Sequence, residues 1–218
     1  MKTIVCTSDL HSHLPPIPKC DLLLIAGDIC PDFENPLGQI KWLNTSFRQW
    51  LLDIPAKHVV GTPGNHDRSF EELPHLIPQD LRWTLLQHNM VELEGFKIFG
   101  MPWIRPIWGA FQESEEVLQH KYAQIPEGMD IIISHGPPYG ICDLAAPRWT
   151  DEEKWPEGEN CGSKALRERI FQLKPRLFVC GHIHESFGIH EEEGVRFVNA
   201  ALCNRSCQPT NYPYVLEL

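Results

Sequence analysis

Five short apolar runs in this chain each end abruptly in acids and histidines, and that repeated transition constrains the fold more than any other feature. Thr3 to Thr7 leads into Ser8-Asp9-Leu10-His11. Leu22 to Ala26 leads into Gly27-Asp28, and His58 to Gly61 passes through Thr62-Pro63 into Gly64-Asn65-His66-Asp67. Ile131 to Ile133 leads into Ser134-His135-Gly136, and Leu177 to Cys180 into Gly181-His182-Ile183-His184. Runs of this length, rich in Val and Ile and bounded by Gly or Pro, are buried strands.

Helical periodicity fills the gaps between them. Leu37, Ile40, Leu43, Phe47, Trp50 and Leu51 predict a helix over 36–53. Val117, Leu118 and Tyr122 predict one over 114–125, and Ala165, Leu166, Ile170 and Leu173 one over 163–174. Strand–helix alternation makes this an α/β chain with a largely parallel sheet covered on both faces. Further strands are expected at 96–101, 195–199 and 213–217, with a shorter one at 90–93, enough for a second sheet. Neither an internal repeat nor a linker interrupts the 218 residues, which predicts one domain over 1–218. Residues 102–112 and 143–162 read as long loops, and such loops in compact domains are usually functional or mobile.

In open α/β sheets the ligand edge is where the carboxyl ends of the strands emerge. The five motifs bring Asp9, His11, Asp28, Asn65, His66, His135, His182 and His184 to that edge. Without a cation these carboxylates, amide and imidazoles would repel or waste one another. Setting His66 aside, the remaining oxygen and nitrogen donors exceed one tetrahedral site and suit two five- or six-coordinate ions sharing a bridging carboxylate. The absence of thiolate argues against structural zinc. Two divalent ions, two carboxylates and a hydroxide leave one net positive charge to attract a phosphate ester.

Asp9-x-His11, Gly27-Asp28, Gly64-Asn65-His66-Asp67, Ser134-His135 and Gly181-His182-x-His184 resemble the full, ordered signature of the calcineurin-like metallophosphoesterases, spread over residues 9–184. Ser134-His135-Gly136-Pro137-Pro138-Tyr139-Gly140 with Gly181-His182-Ile183-His184-Glu185 further resembles the small branch related to class III cyclic-nucleotide phosphodiesterases. The resemblance implies two stacked mixed β-sheets flanked by helices, a four-layer α/β/β/α sandwich, and phosphoester hydrolysis at a dimetal centre. Motif by motif, it implies one metal on Asp9, His11, Asp28 and His184. The other would sit on Asp28, Asn65, His135 and His182, with Asp28 bridging, and His66 would protonate the leaving oxygen. Phosphoprotein phosphatases of this superfamily carry Gly-Asp-x-x-Asp-Arg-Gly as the second motif. Here Gly27-Asp28-Ile29-Cys30-Pro31-Asp32 displaces the second acid by one position and lacks the arginine. Protein phosphatase activity is therefore not expected, and the acid that orients His66 is left open. The expected cofactors are two divalent ions, Mn²⁺ first, with iron, zinc and cobalt as alternatives.

Taken singly, Asp9 or Asp28 would be a turn former and each histidine a hydrogen-bonded structural residue; their coincidence at five strand ends outweighs those readings. The expected activity is hydrolysis of a small phosphodiester, with cyclic nucleotides among the candidates. A phosphomonoesterase, a nuclease and a non-catalytic metal-binding scaffold are the alternatives. A net charge of −10, and six acids against two bases in 143–162, disfavour a nucleic-acid polymer as partner. In that same stretch Arg148 offers a phosphate-binding fork, and Trp149 and Trp155 offer flat faces for a substrate base. Trp103 and Trp108 read equally as core or as substrate platform, and Glu191-Glu192-Glu193 before Gly194 as a hairpin turn. No run approaches the roughly 20 apolar residues of a membrane span. With no leader-like start and eight cysteines lacking any CxxC pair, a cytoplasmic location is expected. The sequence does not set the oligomeric state.

Overall fold

The computed structural model describes residues 1–32, 34–146 and 158–218, with backbone pairing alone at 148–149 and 154–155. Strands β1 (Thr3–Thr7), β2 (Cys20–Ala26) and β3 (Ala56–Thr62) run parallel. A short parallel β4 (Thr84–Leu85) follows β3, and an antiparallel β15 (Tyr214–Glu217) borders β1, giving the order β15-β1-β2-β3-β4. The second sheet holds β5 (Asn89–Leu93), β6 (Phe96–Met101), β7 (Ile131–Ser134), β12 (Leu177–Cys180), β13 (Gly188–Glu192) and β14 (Val195–Asn199). Its order is β13-β14-β12-β7-β6-β5, parallel in the middle and antiparallel at both edges.

Period-two alternation explains why the strand runs are apolar throughout. Ile4, Cys6, Leu22, Leu24 and Val60 of the first sheet meet Ile98, Ile131, Ile133, Leu177 and Val179 of the second in one apolar layer. Their neighbours Val5, Leu23, Ile25 and Val59 pack on Leu43, Phe47, Trp50 and Leu51. On the far side of the second sheet, Phe99, Ile132, Phe178 and Phe197 pack on Leu118, Tyr122, Leu166 and Ile170. The result is the expected pair of mixed sheets flanked by helices.

The first helical layer is α1 (Pro36–Trp42), a π-turn over Leu43–Phe47 and α2 (Arg48–Asp53), with Asn35 accepting from the Gly38 N–H at 2.9 Å as the N-cap. A short α3 (Ser69–Glu72) follows β3. The second layer is α4 (Glu115–Ala123) and α5 (Lys164–Leu173), capped by Ser114 and Ser163.

Three sequence expectations need correction. Residues 143–162 are not a bare loop: β8 (Leu144–Ala145) pairs with β11 (Glu159–Asn160), and β9 (Arg148–Trp149) with β10 (Lys154–Trp155). Pairs of two residues carry too little periodicity to be seen in sequence. Glu191 and Glu192 belong to the edge strand β13, whose exposed face tolerates charge. The turn itself is Glu193-Gly194, at φ 49° and 83°. The five motif strands are also divided, three in the first sheet and two in the second, so the ligand edge spans both sheets.

Candidate metal centre

Each motif lies just beyond the carboxyl end of its strand: β1 for Asp9 and His11, β2 for Asp28, β3 for Asn65 and His66, β7 for His135, β12 for His182 and His184. The chain turns there through left-handed backbone, with φ of 51° at Asp9, 43° at His11, 52° at Asp28 and 68° at His182. Asp and His are among the few non-glycine residues that accept this conformation. Close approach also dictates two glycines. A Cβ at Gly64 would collide with Asp28 Oδ1, and one at Gly181 with Asp9 Oδ2.

The donors form two tight clusters. In one, His184 Nε2 is 3.1 Å from Asp9 Oδ1 and 3.3 Å from His11 Nε2. In the other, His135 Nε2 is 3.2 Å from Asp28 Oδ2 and 3.0 Å from Asn65 Oδ1. Asp9 belongs to both: ligating atoms of Asp9, His11 and His184 lie within 4.8 Å of one another, and so do those of Asp9, Asp28 and His135. The His182 backbone N–H donates to Asp9, and its ring lies edge-on to His135 at 5.0 Å.

Three imidazoles are held by their other nitrogen. His135 Nδ1 donates to the Ala26 carbonyl and His184 Nδ1 to the Asn204 carbonyl, both at 2.8 Å. His11 Nδ1 contacts Asp32 Oδ1 at 2.5 Å. A carbonyl can only accept, so in His135 and His184 the Nδ1 proton is fixed and Nε2 is the atom that can give up its proton to a cation, the arrangement that metal-ligating histidines use.

Residues 2–186 match the family described as calcineurin-like phosphoesterase. The chain belongs to that family. It is 32% identical to human Metallophosphoesterase domain-containing protein 1 over 244 residues, covering 98% of this chain and 70% of that one. A UPF0046 protein of Caenorhabditis elegans is 29% identical over 238 residues, with 98% and 80% covered. The crystal structure of Phosphopantetheinyl Hydrolase from Mycobacterium tuberculosis superposes with a TM-score of 0.62 at 15% identity, covering 98% of this chain and 95% of that one, which shows the common fold. No helix among the described residues is long and apolar enough to cross a membrane.

The electrostatics of this metallophosphoesterase suit a cation. Burial pushes the Asp9 carboxyl up, but the charge and hydrogen bond of His184 outweigh it and hold Asp9 at about 2. Burial opposes ionisation of Asp28 too, and His135 and His66 keep it well below the usual carboxylate range. In return, against their own burial, Asp28 lifts His135 to about 9 and Asp9 lifts His184 to about 9. Burial and the His135 charge drive His182 down to about 3. Two buried carboxylates are thus ionised, with protons on imidazoles as the counter-charge. Divalent ions can take the place of those protons, so the donor set fits the family's metals.

The structure also places an acid beside His66. Asp32 Oδ1 lies 2.8 Å from His66 Nδ1, an ion-pair distance without the alignment of a hydrogen bond, while the same oxygen contacts His11. Burial opposes Asp32 ionisation, yet the His11 hydrogen bond and then His66 hold it far below its ordinary value. Burial lowers the His66 pKa, but Asp28 and Asp32 raise it further, to a net upward shift. The displacement of this acid by one position does not remove it from the site.

Asp67 and Gln39 carry structural roles that the sequence reading missed. Buried Asp67 accepts from the backbone N–H groups of Gly64, Ile29 and Cys30 at 2.8, 2.9 and 2.8 Å, locking the turn after β2 to the turn after β3. Its place in Gly64-Asn65-His66-Asp67 was a usable signal. Gln39 of α1 donates to the His66 carbonyl at 2.7 Å and accepts from the Ser69 N–H at 2.9 Å, for which no sequence pattern exists.

A cavity of about 250 Å³ opens over Asp28, Asn65, His66, His182 and His184, and Ile107, Trp108 and Arg205 also line it. A larger hollow of about 570 Å³ beside Glu191–Arg196 contains no motif residue. The side chains of Arg148, Trp149 and Trp155, expected to bind substrate, lie outside the described residues.

Proposed function

We propose that this chain hydrolyses a small phosphodiester with two divalent cations. Asp9, His11, Asp28 and His184 would hold one and Asp28, Asn65, His135 and His182 the other, Asp28 being shared as the motif resemblance implies, while in the metal-free structure Asp9 is the carboxylate close to both clusters. The observation that carries this reading is the set of Nδ1-anchored imidazoles whose Nε2 atoms converge on two buried, ionised carboxylates. When bound, the cations supply Lewis-acid polarisation of the phosphoryl oxygens and acidify the attacking water.

The chain's own residues do the rest. Water attacks phosphorus and loses a proton to solvent, the P–O bond to the alcohol breaks, and His66 passes its own proton to the departing oxygen and is reprotonated from solvent. Asp32 favours the imidazolium and limits how the His66 ring can turn, and Gln39 fixes the peptide on which it stands. Arg205, half-exposed and 3.9 Å from Glu185 Oε1, is the arginine in the described lining. One partly neutralised arginine suits a monoanionic diester better than a dianionic monoester. Mn²⁺ is expected over Mg²⁺, because an imidazole-rich site suits the softer ion.

Chelated and then reloaded protein, assayed on bis(4-nitrophenyl) phosphate, 4-nitrophenyl phosphate and cyclic nucleotides, tests the proposal. Diester hydrolysis should vanish on chelation and return better with Mn²⁺ than with Mg²⁺. Activity that survives complete metal removal, or faster turnover of the monoester, overturns it.

A further inference from the structure

Two tryptophans on the 102–112 loop have different fates. Trp103 is committed to the body: its Nε1–H donates to His88 Nδ1 at 3.2 Å, Lys121 Nζ sits 3.4 Å above its ring, and Phe111 packs against it. Trp108 is 51% exposed and Ile107 beside it 55%, both at the mouth of the cavity over the candidate metal centre. The Trp108 ring meets the His66 ring at 5.0 Å between centroids, tilted by 59°.

A loose loop does not explain this exposure. The Ala110 N–H donates to the Asn65 carbonyl at 2.9 Å, and the Phe111 N–H to Glu71 Oε1 at 2.9 Å. Gln112 closes the loop on itself, accepting from the Ile107 N–H at 2.6 Å and donating to the Gly109 carbonyl at 2.7 Å. Gly109, at φ 90°, lets the chain pass so close to Asn65 that a Cβ would collide with the Asn65 carbonyl. Trp108 is therefore mounted on the same turn that presents Asn65 and His66. An indole left in solvent on a loop that four hydrogen bonds fix gains burial only when something covers it, and it stands beside the residue that faces the departing oxygen.

We infer that Trp108, backed by Ile107, is the specificity platform for the leaving alcohol, and that the ester cleaved here carries an aromatic or flat apolar group on its leaving side. This rests on the proposed function, since it takes His66 to mark that side. A nucleoside leaving through its sugar oxygen and an aryl alcohol share the required chemistry, and a compact aliphatic alcohol does not.

The test pairs Trp108→Ala and Trp108→Phe with two non-hydrolysable probes, phenylphosphonate and methylphosphonate, titrated calorimetrically into Mn²⁺-loaded protein. Trp108→Ala should lower the phenyl-to-methyl affinity ratio roughly ten- to hundredfold, and Trp108→Phe should restore most of it. In kinetics, Trp108→Ala should raise KM more for methyl 4-methoxyphenyl phosphate than for methyl trifluoroethyl phosphate, with the larger change in KM rather than kcat. An unchanged affinity ratio overturns the assignment. So does an equal loss for both probes accompanied by a lower Tm, which makes Trp108 a structural prop. If the protein hydrolyses no phosphoester at all, the functional proposal fails while the phosphonate ratio still decides the role of Trp108.

Discussion

The two sheets are joined at both ends by buried or half-buried carboxylates, but with different partners. At the amino-terminal edge, Glu94 in the β5–β6 turn gathers Lys2 at 2.6 Å, Lys57 and His58 at 3.0 Å, the last three all carried by the first sheet or its start. At the carboxyl edge, Asp9 and Asp28 gather imidazoles alone among the described ion pairs. Lys2 and Lys57 offer donors and no lone pair, and His58 is the one imidazole beside Glu94 and faces no second carboxylate among the described ion pairs, so the Glu94 cluster is adhesive. An imidazole can trade its proton for a metal, so the other cluster is adhesive only until a cation arrives. Charge pairing thus gives no indication of function by itself; the residue type that supplies the positive charge does.

Breaking the carboxyl edge should have the largest effect. Asp28→Asn removes the anion that contacts His135 and faces His66. It should lower kcat/KM by roughly 10³-fold or more, beyond the 10–100-fold typical of outer-shell partners. Elemental analysis should show more metal lost than in His184→Ala; equal stoichiometry in the two would contradict sharing of Asp28. His66→Ala should keep both metals and slow turnover by about 10²–10⁴-fold, less for nitrophenol leaving groups than for alkyl ones. A loss independent of the leaving group would assign His66 a positioning role. Asp32→Asn should fall below both, at roughly 10–100-fold, and, since Asp32 raises the His66 pKa, should move the alkaline limb of the pH–rate profile to lower pH.

The exchange of protons for metal can be counted directly. His135 and His184, both raised to about 9, are protonated at pH 7 in metal-free protein. Metal loading at pH 7 should therefore release about two protons from these imidazoles, over and above any from metal-bound water, and the imidazole share should fall toward none above pH 9–10, measurable in a weakly buffered titration. The sign for stability follows from the raised values. In metal-free protein these two histidines stabilise the fold fully below their unfolded pKa near 6.5, and that contribution is lost as pH rises through 9. The gain in Tm on metal addition should widen over the same interval.

The smallest effect belongs to the amino-terminal edge. Lys2, through its hydrogen bond, and then Lys57 hold Glu94 at about 2. Its contribution is present above the unfolded value near 4.5 and is lost as pH falls through 2. Glu94→Gln should lower Tm at neutral pH by no more than a few degrees and leave kcat as it is, with the Tm difference closing near pH 2. A change in metal content in this variant would mean that the two edges are coupled.

What was legible in the sequence follows from the range of the interactions involved. β1, β6, β12 and β14 were readable to the residue because nearly every position on both alternating faces is apolar and buried, Lys97 and Arg196 being the charged exceptions. The metal-ligand motifs were readable because each is a contiguous group at a strand end. Asp32 was visible as an acid, but whether it reached His66 depended on the turn geometry after β2, which spacing does not encode. Asn204 acts through its carbonyl, a group every residue carries, so no side-chain pattern could mark it. The tryptophan that lines the cavity among the described residues is Trp108, and it carried the same weight as Trp103 in the sequence because exposure is decided by the loop's tethering to Asn65 and Glu71.

The left-handed backbone at Asp9, His11, Asp28 and His182 has a consequence for how this chain would drift under selection. Each such residue costs about 1–2 kcal/mol relative to a relaxed conformation, less for Asp than for branched types. Glycine or asparagine would relieve that strain. Asp9 and Asp28 are held by their buried pairs with His184 and His135, so a library screened only for folded, heat-resistant protein should enrich glycine and asparagine at positions 11 and 182, and its hardiest members should be the ones that have stopped holding metal.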